Sequence, residues 1–226
     1  MAKLAWDNTG ERFYETGVKN VALYVFDNTS GQKKYKKGVA WNGVTAISES
    51  PSGAEPTALY ADDKKYLNLL SAEEFAASIE AYTYPDEFAE CDGSASLVEG
   101  FTIGQQARSK FALAYKTTIG NDEAGNSLGY KLHIIYNCLA APSEKAYNTI
   151  NDSPEAITFS WEISTTPVTF TVDGKEYSTA CVTIDSRTAD PSKLAALETK
   201  LFGGTEPDSE PTLALPNEIY DVMKAA

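Results

Sequence analysis

The sequence predicts a mainly β protein, and three observations carry that prediction. Aromatic residues are plentiful, with 13 Tyr and 9 Phe in 226 residues, and ring faces pack well across a pleated surface. Apolar residues recur with a period of two, most clearly where Ile157, Phe159, Trp161 and Ile163 share one side of a stretch. Turn-forming clusters fall between such stretches, among them Asp27-Asn28-Thr29-Ser30-Gly31 and Asp173-Gly174. A chain of this length can bury its own core without a metal or a disulfide.

In chain order, residues 21–26 are mostly β-branched or aromatic and predict a strand running into the 27–31 turn. The turn continues into a basic cluster, Lys33, Lys34, Tyr35, Lys36 and Lys37, before Val39-Ala40-Trp41 opens another strand. A hairpin tip or an edge strand guarded by lysines accounts for such a cluster, as does a loop that reaches an acidic neighbour. Residues 49–56, with Pro51, Gly53, Glu55 and Pro56, predict a loop, because two prolines remove donors and the glycine loosens the backbone. Residues 57–70 follow as strand, turn and strand around Asp62-Asp63-Lys64-Lys65.

Residues 71–84 carry two signals. Their Ala and Glu content and a capping-box spacing from Ser71 to Glu74 favour helix. The alternation of Phe75, Ala77, Ile79, Ala81 and Thr83 favours a strand ending at Pro85, and this is the assignment adopted. Pro85 with Asp86 and Glu87 then predicts a short helix. Residues 107–119 and 129–138 form a long hairpin around a turn that contains Asn121, Asp122 and Glu123. A second β block covers 156–166, 168–172 and 177–184, with Asp173-Gly174 as one of its turns.

Residues 190–203 predict a helix with its full punctuation: Asp190 as cap, Pro191 in the first turn, an apolar stripe of Leu194, Leu197, Leu201 and Phe202, and Gly203 as stop. The expected organisation is one β domain over residues 1–204. A polar connector and a docked tail or arm fill 205–226, with Leu213 and Leu215 as its first apolar anchors.

Thirty-two acidic against 19 basic residues give a formal charge of −13. That balance opposes tight binding to phosphate backbones or anionic lipid, yet suits a wall that a polyanion must slide past. The opening residues lack the apolar core of a signal peptide and no run approaches a membrane span, so the expectation is a cytoplasmic product without a membrane anchor. Cys91, Cys138 and Cys181 are odd in number and widely spaced, which predicts reduced, mostly buried thiols.

The sequence offers little for catalysis. His133 is the only histidine and sits mid-strand between Leu132 and Ile134, where a structural role is expected. Neither a metal set nor a calcium loop is spelled out. Acid pairs such as Glu80 with Asp86 or Glu87 arise by chance in so acidic a chain, and Gly203-Gly204 closes a helix where a phosphate loop must open one. Trp6, Trp41 and Trp161 suit a core or a subunit interface, although a carbohydrate platform uses the same residues. No enzymatic activity and no cofactor are expected.

Several blocks nevertheless resemble a known family. They are residues 4–18 (LAWDNTGERFYETGV), 50–57 (SPSGAEPT), 80–88 (EAYTYPDEF), 130–133 (YKLH), 151–162 (NDSPEAITFSWE), 184–187 (IDSR) and Leu215-Pro216. Together they resemble the major tail proteins, or tail tube proteins, of siphophages and prophages of Gram-positive bacteria, and the resemblance extends over almost the whole chain.

It implies two antiparallel sheets packed as a sandwich or partial barrel, with a flanking helix and long loops. It also implies homo-hexameric rings stacked into a tube, with tape measure, tail tip and terminator proteins as further partners and DNA passing through the lumen without tight binding. The location implied is the virion tail, assembled in the host cytoplasm. The family supplies no catalytic residues. The loop-borne candidates for subunit contact are Lys33, Lys34, Tyr35, Lys36, Lys37, Pro51, Glu55, Asn121, Asp122, Glu123, Leu213 and Leu215. A β-sandwich adhesin or baseplate host-binding module is the rival function.

Overall fold

The computed structural model describes residues 4–27, 34–150, 152–153, 155–204 and 209–224. The first long strand is β1 (Phe13–Asp27), flanked on one side by the short β2 (Lys34–Tyr35) and β3 (Val39–Ala40). On its other side β1 pairs antiparallel with β12 (Phe111–Asn121), which pairs with β13 (Gly125–Ala140), and β17 (Cys181–Asp185) closes that edge. These strands make the central sheet.

The end of β13 turns away and pairs through Leu139 and Ala140 with β14 (Phe159–Ser164). There a second sheet begins, with β9 (Ala76–Ala81) in the middle and β4 (Val44–Glu49) at its edge. The expected pair of antiparallel sheets is thus present, joined through one shared strand.

Between the two sheets lies the larger core. Val21, Leu23, Val25, Phe111, Leu113, Tyr115 and Ile135 from the central sheet meet Ala77, Ile79, Ala81, Trp161 and Ile163 from the second. Trp41 and Phe88 fill the space between, with Trp41–Phe88 centroids 4.5 Å apart and Phe88–Trp161 5.0 Å apart. Phe88 comes from a single 3-10 turn (Asp86–Phe88) that leads into α1 (Ala89–Asp92), which is the short helix expected after Pro85.

The alternate residues of the same strands, Ala22, Tyr24, Ala112, Ala114, Leu132, Ile134 and Tyr136, face a second core under the helices. Helix α2 (Pro191–Phe202) presents Leu194, Leu197 and Leu201 to it, and the Asp190 carboxylate accepts from the Ser192 and Lys193 amides as predicted. The tail is a docked helix, α3 (Pro216–Lys224), whose Ile219 joins Leu213 and Ala214 in the same core. Two buried tyrosines fasten this layer, Tyr24 donating to Leu201 O at 2.6 Å and Tyr136 to Ala214 O at 2.9 Å.

Four short pairs complete the chain: β5 (Ser52–Gly53) with β8 (Glu73–Glu74), β6 (Pro56–Ala61) with β7 (Lys64–Leu70), β10 (Ala95–Val98) with β11 (Phe101–Ile103), and β15 (Val168–Val172) with β16 (Lys175–Thr179).

Four expectations need adjustment. The stretch 177–184 is two strands, because β16 ends at Thr179 against β15 while β17 joins the central sheet against β13. Residues 49–56 are not wholly loop: Ser52-Gly53 pairs with Glu73-Glu74, because Gly53 adopts φ +82° and brings its Cα against the Ala72 carbonyl, where an added Cβ would stand 2.3 Å from that oxygen. The expected turn over 120–127 shrinks to residues 122–124, since Asn121 pairs with Gly125. Strand β1 begins at Phe13, eight residues before the apolar run that predicts it.

Replacing Asp190 with Ala is expected to lower stability by about 1 kcal/mol through the lost cap. The larger cavity of Leu197→Ala is expected to cost ~2–5 kcal/mol. Both are read from urea midpoints at unchanged slope.

Candidate functional site

Among the described residues, hairpin β6–β7 is left uncovered by the body, as is the shorter β10–β11 with Leu97, Val98 and Phe101 exposed. All but Ala58 of the β6–β7 residues are exposed, including Leu59, Leu67, Leu69 and Leu70, while Tyr60 and Tyr66 are each 72% exposed. Asp62 and Asp63 both take positive φ (50° and 58°) and join Ala61 to Lys64, the geometry of a two-residue hairpin turn. Pairing of Thr57 with Leu69 and Leu59 with Leu67 places one apolar stripe on one face, while Pro56 opposite Leu70 and Tyr60 opposite Lys65 occupy the other. A solvated hairpin normally keeps one face polar. This one carries large apolar side chains on both, interrupted on the second by Asn68 and Lys65.

The hairpin is rooted at the end of β4. Glu49, the last residue of that strand, accepts a hydrogen bond from the Tyr115 hydroxyl at 2.8 Å, across the gap between the two sheets. His133 lies flat on the Tyr115 ring, with centroids 4.8 Å apart and planes 6° from parallel. Its Nε2 is 2.9 Å from Thr117 Oγ1, and Thr117 donates its single hydroxyl proton to Glu15. Glu15 also receives Lys131 Nζ. The other ring nitrogen, Nδ1, faces Glu49 Oε1 at 3.7 Å and Thr183 Oγ1 at 3.4 Å.

Burial pushes His133 below its ordinary value, against the upward pull of Glu49 and Glu15. Burial also acts to raise Glu15, yet the Lys131 and Thr117 hydrogen bonds and the charges of Lys131 and His133 hold its carboxyl below the usual range.

The loop-borne candidates have varied settings. Lys33 lies outside the described residues. Lys34 is exposed in β2, while Tyr35 turns inward, donating to Asn137 Oδ1 at 2.8 Å at a bulge of β13. Lys36 meets Glu90 at 2.8 Å and Lys37 meets Glu210 at 3.3 Å, so both lysines are paired within the subunit. Pro51 and Glu55 are exposed at the hairpin root. Asn121 is buried and caps its own turn, accepting from the Glu123 and Ala124 amides and donating to Gly10 O. Asp122 accepts from the Gly10 amide at 3.1 Å, and Glu123 stands beside Gly10. Leu213 belongs to the helical core, and Leu215 remains exposed.

The structure thus gathers 121–123 against the N-terminal segment and joins the basic loop to the C-terminal connector, where the Gly38 amide donates to Pro211 O. Neither group of candidates includes the hairpin itself. Its sequence signal is the presence of Leu or Tyr at both parities of two paired strands.

Two of the three thiols are withdrawn: burial pushes Cys91 up to about 12 and raises Cys138 further, while Cys181 is partly exposed. Trp41 and Trp161 are core residues, whereas Trp6 is exposed. Among the described residues no helix is long and apolar enough to cross a membrane.

No family profile matches the chain, and no curated protein matches it. Among solved structures it is similar to a chain of the anti-feeding prophage baseplate, determined by cryo-EM with six-fold symmetrisation, at 8% identity and a TM-score of 0.35 over 80% of this chain and 97% of that one. Likeness at this level carries no weight for fold or function.

Because the folded state binds the His133 proton less readily than an unfolded histidine of ordinary value 6.5, stability is highest above pH 6.5 and falls as pH drops from there toward the lowered folded value. In urea melts between pH 7.5 and 5, the wild type is expected to lose more stability than His133→Gln. Equal losses would contradict the assignment.

Proposed function

We propose that the chain is a structural subunit of a phage tail tube, without enzymatic activity, that assembles as stacked hexameric rings around a conduit for DNA. The observation that carries the proposal is the β6–β7 hairpin, which leaves Leu59, Tyr60, Tyr66, Leu67, Leu69 and Leu70 exposed. Contiguous apolar surface of this kind marks a surface made to be buried by another molecule. The resemblance of residues 4–18, 50–57, 80–88 and 151–162 to major tail proteins supports the same reading and names the assembly. The formal charge of −13 suits a lumen that does not hold DNA.

Edge strands β4 and β17 fit a subunit whose sheets continue into those of its neighbours. The rival host-binding module needs aromatic rings on the surface of a stable monomer; Trp41 and Trp161 are spent in the core while Trp6, Tyr60 and Tyr66 are exposed, so self-assembly is what separates the two readings.

Negative-stain microscopy of the purified protein across a concentration series, with the solution mass recorded alongside, tests the proposal. Hollow tubes or six-fold rings of uniform diameter are the expected result. The double variant Tyr60→Glu/Leu70→Glu is expected to abolish them while leaving the melting temperature of the monomer almost unchanged, since both side chains are largely exposed there and are not paired with each other. Tubes that survive both substitutions would remove the hairpin from the assembly. A monomer at every concentration, even with preformed tail tips added, would overturn the proposal.

A further inference from the structure

We propose that His133 is a proton-operated latch that ties the root of the β6–β7 hairpin to the central sheet. The hydroxyl of Thr117 has one proton and gives it to Glu15, so Thr117 Oγ1 accepts from His133 Nε2–H at 2.9 Å. In the neutral ring Nδ1 is therefore the bare nitrogen. It faces a carboxylate oxygen of Glu49 across 3.7 Å, with no proton between two acceptors.

Tyr115 does not fill the gap, because its hydroxyl donates to that same Glu49 oxygen. Thr183 Oγ1 stands 3.4 Å from Nδ1, too far for a strong bond. The site is one proton short of a closed network. Adding that proton to Nδ1 turns an acceptor–acceptor contact into a charge-assisted N–H···O bond that draws Glu49 toward the sheet.

The charged and titratable groups around the ring agree with this sense. Glu49 approaches from β4 and Glu15 from β1, and both favour the imidazolium. Lys131, from the histidine's own strand, opposes it but is already paired with Glu15. Tyr115 of β12 lies under the ring as a neutral phenol, its hydroxyl proton held by burial and by Glu49. Strand β17 brings Thr183 and the Cys181 thiol, and the latter stays protonated through burial and the charges of Glu49 and Glu73 of β8.

Glu49 matters because of its position. It ends β4 and opens the 50–55 segment into the hairpin, so drawing in its carboxylate stiffens the hairpin's anchor. Burial of the ring moves the effect to solution more acidic than the ordinary histidine range. What the stiffened hairpin then does rests on the tube reading above. The latch itself is tested on the free subunit.

With a single histidine in the chain, the imidazole resonances can be followed by NMR without assignment ambiguity. The wild type is expected to show the Nε2–H tautomer at pH 7.5. Glu49→Gln is expected to titrate at a lower pH than the wild type, because the attracting charge is gone.

Hydrogen-exchange protection of residues 49–55, corrected for intrinsic rates, is expected to rise in the wild type as pH falls through the His133 midpoint. It is expected to stay flat in both Glu49→Gln and His133→Gln. An Nδ1–H tautomer in the neutral ring, an unchanged midpoint in Glu49→Gln, or a rise in protection that persists in His133→Gln would each overturn the latch. Tube formation enters none of these readouts, so a failed latch and a failed tube reading remain distinguishable.

Discussion

The fold depends on a sheet that is covered on both faces. In β1, β12 and β13 successive side chains enter different cores, so a strand has no solvent side to spare: Val21, Leu23 and Val25 meet the second sheet while Ala22 and Tyr24 meet the helices. Shifting any one of these strands by a single residue would exchange the two sets. Their sizes are not interchangeable. Alanines at 22, 112 and 114 leave room on the helical side for the rings of Tyr24 and Tyr136, whose hydroxyls end on the carbonyls of Leu201 and Ala214. The same sheet therefore sets its register and places the two helices.

Features with local causes are legible in the sequence. Helix α2 is readable because its cap, its proline, its stripe and its glycine all lie within 14 residues. The β9 assignment holds because a period of two over Ala77, Ile79 and Ala81 outweighs Ala and Glu propensity, and the strand lies in the middle of the second sheet, where that alternation is needed. The start of β1 is hidden for the opposite reason. Glu15, Thr16, Lys19 and Asn20 are polar, and they are strand only because β12 runs alongside, with two register shifts absorbing the misfit.

The candidate contacts divide along the same line. Leu213, Tyr35 and Asn121 sit in segments that look like loops, yet each has a partner far along the chain that takes it inward: the helical core, the bulge at Asn137, and the N-terminal segment at Gly10. The His133 cluster is equally invisible, since Glu15, Glu49, Thr117 and Thr183 are scattered across four strands. Residues 57–70 are recognisable as strand, turn and strand. That the pair stands clear of both sheets is a tertiary fact, and the one hint of it is the large apolar side chains on both faces.

Under the proposed assembly, that hairpin also bears on how a subunit would remain separate before polymerising. A two-stranded hairpin alone is marginal in water, so the β5–β8 bridge and the Glu49–Tyr115 bond are what hold its base. Covering its six large apolar side chains on a neighbour is worth on the order of 10 kcal/mol, at 1.5–3 kcal/mol for full burial of each and less for residues already partly shielded. Association itself costs roughly 4–15 kcal/mol in lost freedom. One hairpin contact is then close to balance, and two free subunits gain little by meeting. In the proposed tube, a ring would present six equivalent seats, and a subunit gaining a lateral sheet edge together with its hairpin contact would lose its freedom once and make both contacts, as in any multivalent attachment. On that proposal, growth on an existing ring would be favoured over growth from free monomers, which would give the tube a nucleus without a chemical trigger.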